Sequence, residues 1–229
     1  MEVTKVIPPS GPVISLEKVN TYRGPVHALR DVSLSMGQGI TCIVGPNGAG
    51  KTTLLKSIMG LLPVASGKIS FLGQEITRLP TYLIAKLGIG YVPEDRRIYP
   101  DFTVNENILL GTWNRKINPE EIFRKVHALF PKLKELSRSL GIHLSGGEQS
   151  MLAIARTLAL QPRCFLLDEP LEGLAPAVRK RLAEGISELR AQGLTTITTA
   201  SDISYVPDIA DTIYTIDRGE IVDRTDKNP

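Results

Sequence analysis

Short apolar runs and stripes of helical period alternate along this chain of 229 residues. Short runs that alternate with polar residues, or that are apolar throughout, are typical of strands. They predict strands at 13–19, 28–36, 40–44, 69–72, 89–92, 164–167, 194–199, 212–216 and 220–222. Strands that alternate with helices along a chain indicate a mostly parallel sheet covered by helices.

Apolar residues three or four positions apart predict helices between these strands. One helix lies just before Pro63, and another has Pro176 in its first turn, where proline is well tolerated. Between residues 101 and 140 the helical period dominates, and Pro131 is expected to divide this stretch into two helices. The pattern therefore predicts an α/β protein with a helical insertion.

The composition is that of an ordinary globular protein. Hydrophobic residues make up 42% and charged residues 22%, which argues against disorder and fibrous repeats. The formal charge of +3 gives no reason to expect a nucleic-acid partner. No apolar run approaches the about 18 residues of a membrane span. Cys42 and Cys164 each lie in an apolar run, so we expect buried, reduced thiols.

A glycine-rich loop follows the predicted strand at 40–44. Its sequence, GPNGAGKT, matches G-x-x-x-x-G-K-[ST]. Glycines let the backbone curl around a triphosphate, and the following helix directs its positive N-terminus at the phosphates. Lys51 is expected to reach the β- and γ-phosphates, Thr52 to bind Mg²⁺ and Thr53 to contact the α-phosphate. The predicted phosphate site comprises Gly45, Pro46, Asn47, Gly48, Ala49, Gly50, Lys51, Thr52 and Thr53.

Two further motifs carry a resemblance to a known family. Residues 144–149 have the sequence LSGGEQ, which resembles the signature of ATP-binding cassette (ABC) ATPases. Residues 164–169 have the sequence CFLLDE, an apolar strand followed by two carboxylates. The order of phosphate loop, helical insertion, signature and acidic strand resembles a complete ABC cassette over roughly residues 13–223.

The resemblance implies a fold class and a domain organisation. The fold is expected to be an α/β P-loop NTPase of the ABC type, with an antiparallel β subdomain and an inserted helical subdomain. We expect a flexible tail at 1–12 and a single ABC ATPase domain at 13–229, with a core at 13–94 and 141–229 and a helical subdomain at 95–140.

Carboxylates supply the expected catalytic and metal-binding groups. Asp168, at the end of a buried strand, can hold Mg²⁺, and Glu169 can polarise the attacking water as general base. By resemblance, Glu94 is a further Mg²⁺ ligand at a position where most ABC ATPases have glutamine. Tyr22 occupies the position of the aromatic residue that stacks on adenine in this family.

The resemblance also implies a second cassette. In the family, the turn formed here by Ser145, Gly146, Gly147 and Glu148 contacts the γ-phosphate held by another cassette. One chain would then contain two half-sites, and two cassettes, identical or related, would bury two ATP molecules. Residues 171–176 fall where the family places the loop that crosses this interface.

Ser201 is the main departure from the family pattern. The family has a histidine, or in some members a glutamine, after the strand predicted at 194–199. Serine can donate a hydrogen bond to a γ-phosphate, but it is shorter than histidine and cannot become cationic. We count Ser201 with Lys51 and Glu169 among the catalytic residues, and we expect slowed hydrolysis with retained ATP binding.

Residues 91–100 indicate a branch of the family. Their sequence, YVPEDRRIYP, resembles a segment of ABC ATPases that energise uptake of branched-chain amino acids, although Asp95 stands where that branch has glycine. The resemblance implies a cytoplasmic Mg²⁺-dependent ATPase, peripheral on the inner face of the cell membrane. Its expected partners are membrane permease subunits, a second ATPase subunit and, indirectly, an extracytoplasmic solute-binding protein.

Three alternatives stay open at this point. The first is an importer of urea or short amides, because close relatives of the branch transport them. The second is a regulatory nucleotide-binding cassette with weak hydrolysis, suggested by Ser201 but opposed by Glu169, which degenerate cassettes often lose. The third is a non-transport ABC ATPase that acts on ribosomes or DNA, which a single cassette without a long coiled coil argues against.

Overall fold

The computed structural model describes residues 11–112, 117–205 and 210–227. Most of the tail predicted at 1–12, and residues 113–116 of the predicted helical subdomain, lie outside the described residues. The strands are β1 (Ile14–Arg23), β2 (Val26–Met36), β3 (Ile40–Val44), β4 (Val64–Phe71), β5 (Gln74–Glu75), β6 (Ile89–Val92), β7 (Cys164–Leu167), β8 (Thr195–Ala200), β9 (Thr212–Asp217) and β10 (Glu220–Asp226). The α-helices are α1 (Lys51–Ile58), α2 (Thr81–Leu87), α3 (Val104–Leu109), α4 (Pro119–Leu129), α5 (Pro131–Glu135), α6 (Gly146–Leu158) and α7 (Pro176–Ala191).

The strands form two sheets. One has four antiparallel strands in the order β2-β1-β4-β5, and the other has six strands in the order β10-β9-β3-β8-β7-β6. In the six-stranded sheet only the edge strand β10 runs antiparallel to its neighbour. Every residue of β3, β7 and β8 is buried, as expected for parallel strands covered on both faces. The predicted mostly parallel, covered sheet is confirmed.

The structure extends some predicted elements and shortens one. β4 begins at Val64, not at residue 69, because its polar first half pairs with β1 through Thr21; such pairing overrides local propensity. Pro131 does divide the helical stretch, but α5 ends at Glu135. Leu140, at the end of the apolar stripe, instead pairs with a residue before α3 in an isolated bridge. The short elements β5 and α2 were not predicted.

Buried side chains form two clusters that pack on opposite faces of the six-stranded sheet. One cluster joins Phe165 to residues of α6 and α7 and to Val126 of α4. The other joins Ile43 to α1 and to the four-stranded sheet. Both cysteines are buried and free, as predicted. The helices of residues 104–135 therefore share a continuous core with the sheet, and the domain boundaries at 95 and 140 stay a prediction.

The parallel sheet brings the ends of several strands together. Val44 pairs with Ala200, and Leu167 pairs with Thr198. Because the carboxyl ends of parallel strands meet at one edge, the segments that follow β3, β6, β7 and β8 lie beside one another. These segments contain the glycine-rich loop, Glu94, Asp168 with Glu169, and Ser201. Across the described residues, none of the helices is both long enough and apolar enough to cross a membrane.

Candidate functional site

The glycine-rich loop leaves β3 and ends where α1 begins at Lys51. Gly48 and Gly50 have φ angles of +84° and +115°, a backbone region that side chains rarely adopt. A Cβ atom at Gly45 would collide with the carbonyl oxygen of Ile216. The local backbone therefore requires glycine at all three positions, for reasons that stand whether or not a ligand is bound.

The Lys51 ammonium lies at the centre of this loop. Its Nζ donates to the carbonyl oxygens of Gly45, at 2.7 Å, and Pro46, at 3.2 Å. It also forms an ion pair with Glu169, with Nζ 2.9 Å from Oε1, and both side chains are buried, with 3% and 8% exposed. An incoming phosphate would therefore compete with Glu169 for this ammonium.

Asp168 follows β7 and is 2% exposed. Its Oδ1 accepts hydrogen bonds from the hydroxyls of Thr52 and Thr199, both at 3.0 Å, and its Oδ2 accepts one from the Tyr91 hydroxyl at 3.1 Å. Burial raises the pKa of Asp168, although the three hydroxyls lower it. Burial and this carboxyl also raise the pKa of Tyr91, so its hydroxyl stays a donor. Tyr91 and Thr199 thus fix the orientation of Asp168.

The donor set here suits a hard divalent cation. Thr52 and Asp168 already contact each other through oxygen, and Glu94 lines the same cavity. In the described part of the chain, no three His, Cys, Asp or Glu side chains are grouped to hold a metal ion. Mg²⁺ usually keeps several waters and takes one or two protein carboxylates together with substrate phosphates, and Asp168 and Glu94 are two such carboxylates.

Glu169 has an uncommon backbone conformation and an ionised side chain. Its φ is +47°, uncommon for a residue other than glycine, and its N–H donates to Oγ1 of Thr199 at 2.8 Å. Burial acts to raise the pKa of Glu169, but hydrogen bonds with Glu172 and Lys51 and the charge of Lys51 outweigh it, so the pKa lies below its usual range. The carboxylate is therefore ionised, as a general base must be.

Glu172 lies next to the Glu169 carboxyl and close to Ser201. The contact with Glu169 and burial raise the pKa of Glu172, because two carboxyls in contact cannot both ionise easily. Ser201 therefore lies on the Glu172 side of the Glu169 carboxylate. The sequence placed Glu172 only in a loop at a subunit interface, although its spacing of three residues from Glu169 was visible.

Most of these groups line one cavity. Its volume of about 560 Å³ is typical of ligand pockets. Its predicted lining residues are Asn47, Gly48, Gly50, Lys51, Thr52, Thr53, Glu94 and Glu169. Its other lining residues are Arg23, Val26, His27, Ala28, Arg30, Glu172 and Arg218. Five other predicted residues are not among the lining residues: Gly45, Pro46, Ala49, Asp168 and Ser201. Gly45 and Pro46 accept hydrogen bonds from Lys51, and Asp168 accepts one from Thr52.

The signature residues lie apart from this cavity. Ser145 precedes α6, and its N–H and hydroxyl both donate to Oε2 of Glu148 at 2.8 Å, while the Glu148 N–H donates to the Ser145 hydroxyl at 3.4 Å. This capping box explains serine and glutamate at this spacing by helix chemistry alone. Among the described residues that line the cavity, none belongs to Ser145, Gly146, Gly147 or Glu148. Within one chain, the two motifs do not form one site.

Comparison with known sequences agrees with this geometry. Residues 29–172 match the family model described as ABC transporter. Over 92% of its length the chain is 40% identical to the high-affinity branched-chain amino acid transport ATP-binding protein BraG of Pseudomonas aeruginosa, and it covers 91% of that protein. It is 35% identical to the probable branched-chain amino acid transport ATP-binding protein LivF of Archaeoglobus fulgidus, over 89% of this chain and 88% of that one.

Solved structures show the same fold. A nucleotide-free ATP-binding cassette from an ABC transporter superposes with a TM-score of 0.82 at 28% identity, covering 93% of this chain and 91% of that one. A dimeric bacterial ABC transporter cassette gives a TM-score of 0.82 at 25% identity, covering 94% and 99%. The predicted ABC fold is confirmed. From the phosphate loop, the acidic strand end and these matches, this chain belongs to the ABC transporter family, as one of its ATP-binding cassettes in which ATP hydrolysis is coupled to transport.

Proposed function

We propose that this chain is the ATP-hydrolysing subunit of an importer for branched-chain amino acids. The observation that carries the proposal is the convergence of Lys51, Thr52 and Glu169 on one cavity in a chain 40% identical to BraG. The geometry of the cavity supports ATP hydrolysis, and the similarity to BraG and LivF supports branched-chain amino acids as the solute.

Each side chain has a role that follows from its surroundings. Lys51 releases the Glu169 carboxylate and binds the phosphates of ATP. The N–H groups of the loop add further donors. Thr52 and Asp168, with Glu94, would hold Mg²⁺, which would supply neutralisation of developing charge on the phosphates. Glu169, released from Lys51, accepts a proton from the attacking water. The Thr199 hydroxyl accepts from the Glu169 N–H and donates to the Asp168 carboxylate, so it fixes the position of one relative to the other.

A second cassette completes the site in this proposal. The Ser145 turn lies outside the cavity of its own chain and presents the N-terminus of α6, a 13-residue helix, where N–H groups favour an anion. The dimeric structure of a similar cassette supports such pairing. The partner can be a second copy of this chain or a related cassette.

The transport partners follow from the relatives. An ATPase of this family energises permease subunits, so we propose that this chain binds the cytoplasmic side of a membrane permease as a peripheral subunit. An extracytoplasmic solute-binding protein delivers the amino acid to that permease. Importers of urea or short amides remain the neighbouring alternative.

Reconstitution tests the proposal directly. The purified chain should hydrolyse ATP in the presence of Mg²⁺, and hydrolysis should cease when the metal is chelated. In vesicles that also contain the permeases and binding protein of a branched-chain amino acid importer, uptake of labelled leucine should depend on ATP. Uptake of urea or acetamide without leucine would move the chain to the alternative, and no ATP hydrolysis in any setting would refute the proposal.

Ser201→His is expected to raise turnover at saturating ATP by about tenfold. Histidine is longer than serine and can carry a positive charge, so it can contact the phosphates directly, whereas Ser201 lies beside Glu172. The measurement is steady-state hydrolysis with ATP affinity determined separately. Ser204→His, on an exposed residue nearby, is the matched control. Unchanged or lower turnover in Ser201→His would show that serine does not limit hydrolysis.

A further inference from the structure

Two tyrosines adjoin the cavity that contains Lys51 without being among its lining residues. Tyr22, which the sequence predicts to stack on adenine, is 46% exposed and stacks on the ring of His27 with the centroids 4.4 Å apart; its contact with adenine stays a prediction. Tyr91, on β6, instead directs its hydroxyl at the carboxylate of Asp168. Of the two, Tyr91 is therefore the one that contacts a residue of the predicted metal site.

The fold fixes the position of Tyr91 before any ligand binds. Tyr91 pairs with Leu166 of β7, two residues before Asp168, and the Asp168 N–H donates to the carbonyl oxygen of Val92 at 2.9 Å. The ring of Tyr91 packs against the buried cluster that contains Leu55 of α1. Because a tyrosine side chain has only two χ angles, this packing also determines the direction of its hydroxyl.

The acceptor sites of the Asp168 carboxylate show what the Tyr91 hydroxyl controls. An ionised carboxylate has about four lone-pair sites on its two oxygens. The hydroxyls of Thr52 and Thr199 occupy both sites on Oδ1, and the Tyr91 hydroxyl occupies one site on Oδ2. With these bonds in place, the remaining site lies on Oδ2, the oxygen that Tyr91 holds.

The three hydroxyls differ in what else they do. Thr52 is itself a predicted metal ligand, and Thr199 also accepts the N–H of Glu169. The hydroxyl of Tyr91 donates to Asp168 and lies on a residue that does not line the cavity. Loss of the Tyr91 hydroxyl therefore changes the support of Asp168 and leaves the nucleotide contacts and Glu169 in place.

We infer that Tyr91 is a positioning residue that sets the affinity of the site for Mg²⁺ by holding Oδ2 of Asp168. The inference rests on the proposed function, since it takes Asp168 as a ligand of the metal that accompanies ATP. A carboxylate held at both oxygens loses less rotational freedom on taking a cation than one held at Oδ1 alone. Hydrogen-bond partners of metal ligands are typically worth about 10–100-fold in metal affinity. Because Asp168 keeps two of its three donors without Tyr91, we expect the lower end of this range.

Tyr91→Phe tests the inference, because it removes the hydroxyl and keeps the ring. Mn²⁺, which takes the same oxygen ligands as Mg²⁺, is the probe, and its binding to the ADP-loaded chain is followed by electron paramagnetic resonance. The half-saturating Mn²⁺ concentration, and the half-saturating Mg²⁺ concentration for hydrolysis, should each rise about tenfold. Turnover at saturating Mg²⁺, and ATP affinity in EDTA, should stay within about twofold of the wild type.

Two further variants separate positioning from a general loss of structure. Tyr214 on β9 is 3% exposed and donates to the carbonyl oxygen of Ser35 at 2.7 Å, and β3 and β8 separate its strand from β7. Tyr214→Phe therefore removes a comparable buried hydroxyl and should leave both metal concentrations unchanged. Thr199→Val removes a donor to Asp168 and also the acceptor of the Glu169 N–H, so it should lower turnover as well as metal affinity.

The outcomes separate the inference from the proposed function. If Tyr91→Phe binds Mn²⁺ like Tyr214→Phe, with equal thermal stability, Tyr91 has a structural role only and the inference is wrong. Tighter Mn²⁺ binding by Tyr91→Phe would also overturn it, because the hydroxyl would then compete with the metal. A fall in turnover at saturating Mg²⁺ without a change in metal affinity would contradict it as well. A wild-type chain that binds neither ATP nor Mn²⁺ with ADP would instead refute the proposed function.

Discussion

Glu169→Gln is expected to lower steady-state ATP hydrolysis by about 10²–10⁴-fold while ATP binding persists. Glutamine has nearly the shape of glutamate and can still accept a hydrogen bond from Lys51, but it cannot take a proton from water. Because the ATP then stays intact, the variant should accumulate as an ATP-bound dimer. Hydrolysis rates and size-exclusion chromatography with and without Mg²⁺-ATP are the measurements.

The matched control for this change is Glu184→Gln, on the exposed side of α7. It removes the same charge far from the cavity and should hydrolyse ATP like the wild type. Near-normal turnover of Glu169→Gln would show that another group is the base, with Glu172 the first candidate because it contacts the same carboxyl. A variant that stays monomeric with ATP would contradict the proposed pairing of cassettes.

Lys51→Met should abolish tight ATP binding and lower hydrolysis by at least about 10²–10³-fold. The Lys51 side chain is 3% exposed, so in a largely water-excluded position its charge attracts phosphate more strongly than an exposed lysine would. Methionine keeps much of the aliphatic volume but removes the charge and the donors to Gly45 and Pro46. Nucleotide affinity by calorimetry and hydrolysis at high ATP concentration measure the two effects.

Stability has to be separated from binding in this variant. Removing one partner of a buried ion pair is destabilising, although Glu172 can share a proton with the Glu169 carboxyl left behind. Thermal unfolding of Lys51→Met should therefore be compared with that of Lys68→Met, an exposed lysine on β4. A folded Lys51→Met protein that binds ATP with wild-type affinity would exclude the proposed role of the loop.

Several parts of the site could be predicted because their chemistry is local. The glycine-rich loop requires consecutive residues of particular types, and the structure shows glycine-only backbone at Gly48 and Gly50. The end of the acidic strand is likewise a local feature, since a buried apolar run stops at Asp168 and Glu169. The fold class followed from the order of these motifs along the chain.

Other groups were missed because they come from neighbouring strands. Tyr91 and Thr199 lie on β6 and β8, on either side of β7, and both donate to Asp168. No local pattern fixes the order of parallel strands in a sheet, so neither residue could be assigned to the carboxyl in advance. Glu172 was missed in the same way, because its contacts with Glu169 and Ser201 depend on how two loops fold together.

The sequence by itself determined the elements and motifs, because hydrophobic periodicity, glycine conformation and helix capping act over a few residues. It also determined that one chain has a single phosphate loop and a single signature. Only the tertiary structure decided which side chains meet: Lys51 with Glu169, Asp168 with three hydroxyls, and His27 with the cavity wall. Those contacts depend on strand order and loop packing, which are set by burial of the whole sheet and not by any one segment.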